Sequence, residues 1–356
     1  MNMHKPRGLK RDGPRGRMPP DLRMFASMVW LGTGLVGAAA VGFAFQSDLR
    51  AARARVASGS RLVQTASGPM EITEAGNGPP VLVIHGAAGG FDMGLRVGRD
   101  VLGDGFHIVA PSRFGYLRTP MPAGTSHDAQ ADALSSLLDA LAIPRAVVVA
   151  VSAGAQSATR LALRHPERVQ ALVLITPALY LPPDPGKLAS APPAFIFDTL
   201  LASDFLVWAL TRLAPRLLLR AAGVPRALDT AVTPEDRQKI VGWFFPARSR
   251  HEGLGHDIRT TTPTAPDLPI EKLGMPVMLV SAKDDPYRTA DVVRYSARRL
   301  ADPAVLICDS GGHVLLGQTG LVRLSVQRFI GRSLGAGQRT PASEAMPLST
   351  LPEPRP

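Results

Sequence analysis

Residues 146–157, AVVVAVSAGAQS, decide the fold. Five apolar residues, Ala146 to Ala150, lead into Val151-Ser152-Ala153-Gly154 and then into a helix-forming run that reaches His165. A short apolar run bounded by turn residues predicts a strand covered on both faces, followed here by a sharp turn and a helix. Ala150, Ala153 and Gly154 supply the small side chains such a turn requires, because the backbone passes close to itself there. A serine at the apex projects its hydroxyl above the sheet. The next amide, that of Ala153, opens the helix, where it can donate to a developing oxyanion. The run departs from G-x-S-x-G only at Ala150, and a methyl is the smallest group that could replace the glycine hydrogen. The plainer alternative is a buried serine on a strand-to-helix turn.

Further strands follow the same rhythm on both sides. Residues 61–73 (RLVQTASGPMEIT) predict a hairpin turning at Ser67-Gly68-Pro69, and 77–80 (NGPP) predict another turn. Residues 81–84 (VLVI) form a buried strand ending in His85-Gly86-Ala87-Ala88-Gly89-Gly90. Glycines there let the backbone curl above the strand end, so the Ala87 amide can point into the space that Ala153 faces. Two converging amides make an oxyanion hole. His85 is expected to hydrogen-bond the loop rather than to take part in chemistry. Residues 107–110 and 171–175 are further strands, and 129–142 (AQADALSSLLDALA) is a helix. Strands alternating with helices at this spacing imply a mostly parallel sheet. Residues 277–280 and 304–308 resume it. The first of these ends in Ser281-Ala282-Lys283-Asp284-Asp285-Pro286 and the second in Asp309-Ser310-Gly311-Gly312-His313. A serine, an acid and a histidine thus follow successive strands in that chain order, at strand C-termini that share one crevice. Residues 314–334 predict a closing helix.

Between the two halves, residues 178–268 carry many prolines and apolar helical runs but no clear strand. Residues 205–222 (FLVWALTRLAPRLLLRAA) are strongly apolar, with Arg212, Arg216 and Arg220 on one helical face, and Pro215 should split the run. A helical cap inserted over the sheet is expected. Its apolar face either packs on the domain or forms a lid that meets lipid or an apolar substrate.

The 356-residue chain carries a formal net charge of +11. Much of the excess lies before residue 24: Lys5, Arg7, Lys10, Arg11, Arg15, Arg17 and Arg23 against Asp12 and Asp21. Residues 24–45 (MFASMVWLGTGLVGAAAVGFAF) are uncharged. A helix of that length spans a bilayer core of ~30 Å, and it is longer than the ~7–15-residue apolar region of a cleaved signal peptide. An uncleaved anchor is expected; a cleaved signal and a soluble apolar helix are the alternatives. Residues 47–60 are expected as a polar linker or as helix leaving the membrane. The positive-inside rule places the basic tail, residues 1–23, in the cytoplasm. With an Ala/Arg-rich composition of bacterial type, this predicts a single-pass inner-membrane protein whose main domain faces the periplasm. A basic stripe interleaved with aromatics is absent, and aromatics make up 5% of the chain, so nucleic acid is not an expected partner. The single cysteine, Cys308, excludes an internal disulfide. Residues 336–356, rich in Pro, Ser and Thr, are expected to be a disordered tail.

Two motifs are false leads. Gly32-Thr33-Gly34-Leu35-Val36-Gly37 matches G-x-G-x-x-G but lacks the flanking strands and the later acidic residue of a dinucleotide site. His251-Glu252-Gly253-Leu254-Gly255-His256 places its histidines five apart with glycines between, where a zinc site on a helix needs four. No metal and no cofactor is expected.

Four stretches together resemble the α/β-hydrolase superfamily: VLVIHGAAGG (81–90), VSAG (151–154), Asp284-Asp285-Pro286, and GGH (311–313). The resemblance covers about residues 60–335. It implies an α/β-hydrolase core built from residues 60–177 and 269–335, a cap over 178–268, and a triad of Ser152 as nucleophile, His313 as proton carrier and an aspartate as orienting acid. The family places this acid three residues after a strand-ending glycine. Ala282 in that position selects Asp285, whereas counting from Ser281 selects Asp284; the D-D-P run favours Asp285. Ala87 and Ala153 would form the oxyanion hole. A serine here is not what dehalogenases and epoxide hydrolases of this fold use. The resemblance implies a carboxylic ester hydrolase acting through an acyl-enzyme on an apolar small-molecule ester. C–C bond hydrolysis, lactone hydrolysis and cofactor-free haloperoxidase chemistry are alternatives within the fold, and a non-catalytic binding protein is an alternative outside it.

Overall fold

The computed structural model describes residues 20–180, 202–261 and 268–336. The parts of the expected basic tail, cap and C-terminal tail that fall at 1–19, 181–201, 262–267 and 337–356 lie outside the described residues. The chain divides into two compact units at Arg50 and Ala51. The first contains most of a continuous helix, Pro20–Ser58. Within it Ser27–Ser58 is long and apolar enough to cross a membrane by length and composition. Of the two expectations for residues 47–60, a polar linker or a helix, the helix is what the structure has, as far as Ser58. Nothing in the Ala- and Arg-rich run from Asp48 to Ser58 stops it until Gly59.

The second unit is organised on an eight-stranded sheet: β1 (Arg61–Thr65), β2 (Gly68–Ala75), β3 (Pro80–Ile84), β4 (His107–Pro111), β5 (Ala146–Val151), β6 (Val169–Ile175), β7 (Val277–Ala282) and β8 (Ala304–Cys308). The order across the sheet is β1-β2-β4-β3-β5-β6-β7-β8. The first hairpin is antiparallel and packs antiparallel on β4; the other pairings are parallel. The hairpin pairs Thr65 with Gly68, so its turn falls at Ala66-Ser67, slightly before the expected Ser67-Gly68-Pro69.

The central strands are apolar on both faces because both faces are covered. Leu82, Ile84, Val148, Ala150, Leu172, Leu174 and Leu279 point to one side, where the helices His127–Ala140, Gly154–Arg164 and Thr289–Ala297 lie. Val81, Val83, Val147, Val149, Val173 and Val280 point to the other, against helices Phe91–Leu102 and Thr319–Ala336. The helix expected over 129–142 starts earlier, because the Ser126 hydroxyl accepts from the Ala129 amide and caps it. It ends before Ala142, which has positive φ. The closing helix begins at Thr319 rather than at residue 314. Residues 312–317 instead form a turn, with Leu315 and Gly317 at positive φ, that carries the chain away from the His313 strand end.

Between β6 and β7 the described residues contain four α-helices: Asp204–Leu213, Pro215–Ala221, Pro234–Gly242 and His251–Thr260. Pro215 splits the apolar run as expected and becomes the first residue of the second helix, where its missing N–H is not needed. Leu218, Leu219, Val224, Ile240 and Val241 form the core of this cap, and Val314 and Leu316, beside His313, pack against it.

Candidate active site

β5 delivers Ser152 to the carboxyl edge of the sheet. The serine backbone is left-handed, φ 50°. For a non-glycine residue this strain is of order 1–3 kcal/mol. Burying Val147, Val148 and Val149 almost completely contributes roughly 1.5–3 kcal/mol apiece, so the strand outweighs the strain it carries. The Ser152 amide donates to Ile175 O (3.0 Å), and its carbonyl accepts from the amides of Ala155 (3.0 Å) and Ala178 (3.1 Å). The second small residue of the turn is sterically fixed. A Cβ on Gly154 would lie 2.5 Å from His85 O and 2.9 Å from Ile84 O. Ala150, at the departing position, is fully buried, and its methyl joins the core beneath the turn.

Two loops complete the arrangement. His313 Nε2 lies 2.9 Å from Ser152 Oγ, and His313 Nδ1 lies 2.8 Å from Asp285 Oδ2. A carboxylate can only accept, so Nδ1 carries the proton and Nε2 is left to accept from the serine hydroxyl. Asp285 Oδ1 also accepts from the Tyr287 amide (2.9 Å), and Oδ2 accepts from the Thr289 hydroxyl. Burial pushes the Asp285 carboxyl up, but the electrostatic pairing with His313 and these hydrogen bonds outweigh burial and hold it below its ordinary range. Asp284 turns the other way. Its oxygens accept from the amides of Gly311 (3.2 Å) and Gly312 (2.8 Å), so it braces the loop that carries His313. β7 ends at Ala282, which places Asp285 three residues beyond the strand. From the cap, Gly223 O accepts from the His313 amide (2.9 Å), and the Tyr287 ring stands edge-on to the imidazole at 4.9 Å.

The loop after β3 lies against the serine: a Cβ on Gly86 would be 3.1 Å from Ser152 Cβ. Ala87 belongs to this loop, and Ala153 caps the helix Gly154–Arg164. Among the described residues neither amide has a hydrogen-bond partner. His85 is fully buried. Its Nδ1 donates to Gly86 O (2.7 Å) and its Nε2 accepts from the Arg113 amide (2.9 Å). Burial first, and the Arg113 charge second, lower its pKa to about 3, so the ring is neutral and serves the loop.

A buried polar cluster behind this loop was not foreseen from sequence. Arg113 donates to Asp257 Oδ1 (2.8 Å) and Oδ2 (2.5 Å), to His85 O (3.0 Å) and to Gly86 O (3.1 Å). Tyr116 Oη donates to Asp257 Oδ2 (2.6 Å) and accepts from the Ala88 amide (3.3 Å). Arg250 donates to Gly89 O (2.5 Å) and to both oxygens of Asp92 (3.1 and 2.6 Å). Burial pushes the Asp257 carboxyl up, yet the Arg113 guanidinium and the Tyr116 hydroxyl bring it below its ordinary value. The histidines of His251–His256 share one helix with Asp257, and His256 stacks edge-on against His127 at 5.5 Å. A cavity of about 470 Å³, lined by Leu117, Arg118, Arg248 and His251 among others, does not include Ser152.

The family model described as alpha/beta hydrolase fold matches residues 79–318. The chain belongs to this family. It is 32% identical over 163 residues to the uncharacterised hydrolase YcgS of Bacillus subtilis, covering 43% of this chain and 55% of that protein. It is 37% identical over 106 residues to the 2-hydroxymuconate semialdehyde hydrolase of Pseudomonas sp. strain CF600, covering 29% of this chain and 38% of that enzyme. The chain thus spans about half the length, or less, of these curated relatives. Among solved structures, an alpha/beta hydrolase fold protein from Nakamurella multipartita superposes with a TM-score of 0.64 at 26% identity, covering 78% of this chain and all of that one.

Proposed function

We propose that the protein is a membrane-anchored serine hydrolase that cleaves an apolar carboxylic ester through an acyl-enzyme. One observation carries the reading: the unbroken hydrogen-bond chain Ser152–His313–Asp285 at the apex of a strained turn. In this reading Ser152 Oγ attacks the ester carbonyl as His313 Nε2 takes its proton. Asp285 fixes the tautomer of His313 and stabilises the imidazolium. The carbonyl oxygen, now an anion, is met by the amides of Ala87 and Ala153. His313 returns the proton to the departing alkoxide, leaving an ester on Ser152. Water then attacks the acyl carbonyl as His313 Nε2 takes its proton; the carbonyl–Oγ bond breaks, His313 gives the proton to Ser152 Oγ, and the acid leaves. The preference for an apolar substrate draws on the apolar cap core that abuts Val314 and Leu316 beside His313. In this reading the helix through Ser27–Ser58 is the anchor, supported by its length and apolar composition, and the basic residues before it favour a hydrolase unit on the periplasmic side of a bacterial inner membrane.

The test is turnover of p-nitrophenyl esters of increasing acyl length by the full chain in detergent, with Ser152→Ala beside it, and labelling by a fluorophosphonate. Turnover and labelling that both vanish in the variant support the reading. A wild type that neither turns over nor labels sinks it in favour of a binding protein on this fold. A second reading, hydrolysis of a C–C bond, is favoured by the 37% identity to a semialdehyde hydrolase. It predicts labelling of Ser152 without ester turnover.

A further inference from the structure

We infer that Asp257, a cap residue, is a positioning residue that sets the orientation of the Gly86–Ala87 peptide through Arg113, so that docking of the cap and formation of the oxyanion hole are one event. The inference rests on the serine-hydrolase reading and extends it to a part of the molecule with no contact to the reacting atoms.

In a trans peptide the C=O of one residue and the N–H of the next point in opposite directions. Fixing Gly86 O therefore fixes the Ala87 N–H. Gly86 O is held by three donors, His85 Nδ1 (2.7 Å), Arg113 Nη2 (3.1 Å) and, from within the loop, the Gly89 amide (3.3 Å). The following amide, Ala88 N, is held by Tyr116 Oη (3.3 Å). Both Arg113 and Tyr116 are in turn oriented by one carboxylate, that of Asp257, which receives three donors and is almost fully buried. The same cap stretch reaches the far end of the loop, where Arg250 donates to Gly89 O. Backbone bonds bring the cap to this place: Leu117 N donates to Ser249 O (2.6 Å) and Gly253 N to Gly115 O (3.0 Å). Without the Asp257 charge the Arg113 guanidinium is buried and uncompensated, a state that costs far more than a lost surface pair. Arg113 then has reason to leave Gly86 O, and the peptide, held only by His85 and the Gly89 amide, is looser and turns its N–H away from the serine more often.

The experiment compares the full-length wild type in detergent with Asp257→Asn and with the milder Arg113→Lys. Arg113→Lys keeps a cation beside Asp257 but loses the guanidinium fork that also reaches Gly86 O, so it serves if Asp257→Asn does not fold. Three quantities are read: kcat and KM on p-nitrophenyl octanoate, the inhibition constant of octyl trifluoromethyl ketone, and amide hydrogen exchange of the peptide covering residues 85–91. The ketone forms an oxyanion adduct with an active serine. The expected result is a kcat about 10²-fold lower, since the effect is that of losing one oxyanion donor, with KM within about twofold. Ketone affinity should weaken in parallel, and the loop peptide should exchange faster. A folded variant with unchanged exchange overturns the clamp. Faster exchange with unchanged kcat and ketone affinity overturns the positioning role. An inactive, unlabelled wild type refutes the hydrolase reading itself, while the exchange measurement still reports whether Asp257 holds the loop.

Discussion

Three hydrogen bonds converge on Asp285, from His313, Thr289 and the Tyr287 amide, whereas Asp284 spends its oxygens on two backbone amides of the neighbouring loop. The two adjacent carboxylates should therefore respond differently to the same substitution. Asp285→Asn is expected to lower kcat by about 10³–10⁴-fold with little change in stability, because the amide favours the wrong imidazole tautomer. Asp284→Asn should instead cost about 1–3 kcal/mol of stability, the scale of hydrogen bonds to a charged group, and leave most of kcat. Steady-state kinetics and urea unfolding of both variants decide this. A larger kcat loss at Asp284 would exchange the roles. From sequence, the choice between them turned on whether Ala282 or Ser281 ends the strand, and pairing of Ala282 with Cys308 answers that. Ser152 and His313 were legible because each sits in a short motif at a strand end. Asp257 and Arg250 were not. Their partners lie 144 and 158 residues away, and nothing local marks a buried aspartate on a cap helix.

At the scale of elements, legibility followed burial. Strands covered on both faces declared themselves as apolar runs, and Pro215 announced a helix break. The turn over 312–317 did not, since its residues look helical and only the path required of the His313 loop bends them. That loop is also touched by the cap. Gly223 has φ 76°, and a Cβ on it would lie 2.4 Å from His313 Cβ. Gly223→Ala is expected to displace the imidazole by a fraction of an ångström to an ångström and to lower kcat by about 10²-fold, the scale for such a misplacement. Measuring kcat beside a far-ultraviolet melting curve tests it. A kcat within threefold of wild type would mean that the strap gives way and not the histidine.

For the whole molecule, pH is a handle on stability. His85 has its pKa lowered to about 3, and His127 to about 4, in both cases first by burial. An unfolded histidine titrates near 6.5. Between that value and the folded pKa the unfolded chain binds a proton that the folded chain refuses, so stability is full above about pH 6.5 and falls as pH drops. The slope is about 1.4 kcal/mol per pH unit for each such histidine. The depressed carboxylates Asp257 and Asp285 add to the loss only below about pH 4, where unfolded carboxyls take up protons. Urea midpoints at pH 7.5, 6 and 5 should decline stepwise; equal midpoints would contradict the neutral, buried state of His85. The anchor can be tested on the same scale. A C-terminal alkaline phosphatase fusion should be active, because the unit after the apolar helix is proposed to be periplasmic. A reporter active only in the cytoplasm would reverse the topology.

The cap leaves the sheet after β6 and returns at β7, and these strands are partners, with Leu172 beside Val277. The pair is parallel, with Ile175 beside Val280, so the chain leaves at the carboxyl end of β6 and re-enters at the opposite end of β7, about 10 Å away along the strands. Such an insertion behaves like a cartridge: its length and content place almost no demand on the frame that receives it, since loop closure grows only slowly with length. Arg113 breaks this modularity. It is a cation built into the frame but neutralised by the cartridge. A foreign cap spliced between β6 and β7 would need to bring its own acid to the same spot, or the recipient sheet would carry a buried charge with no counterion.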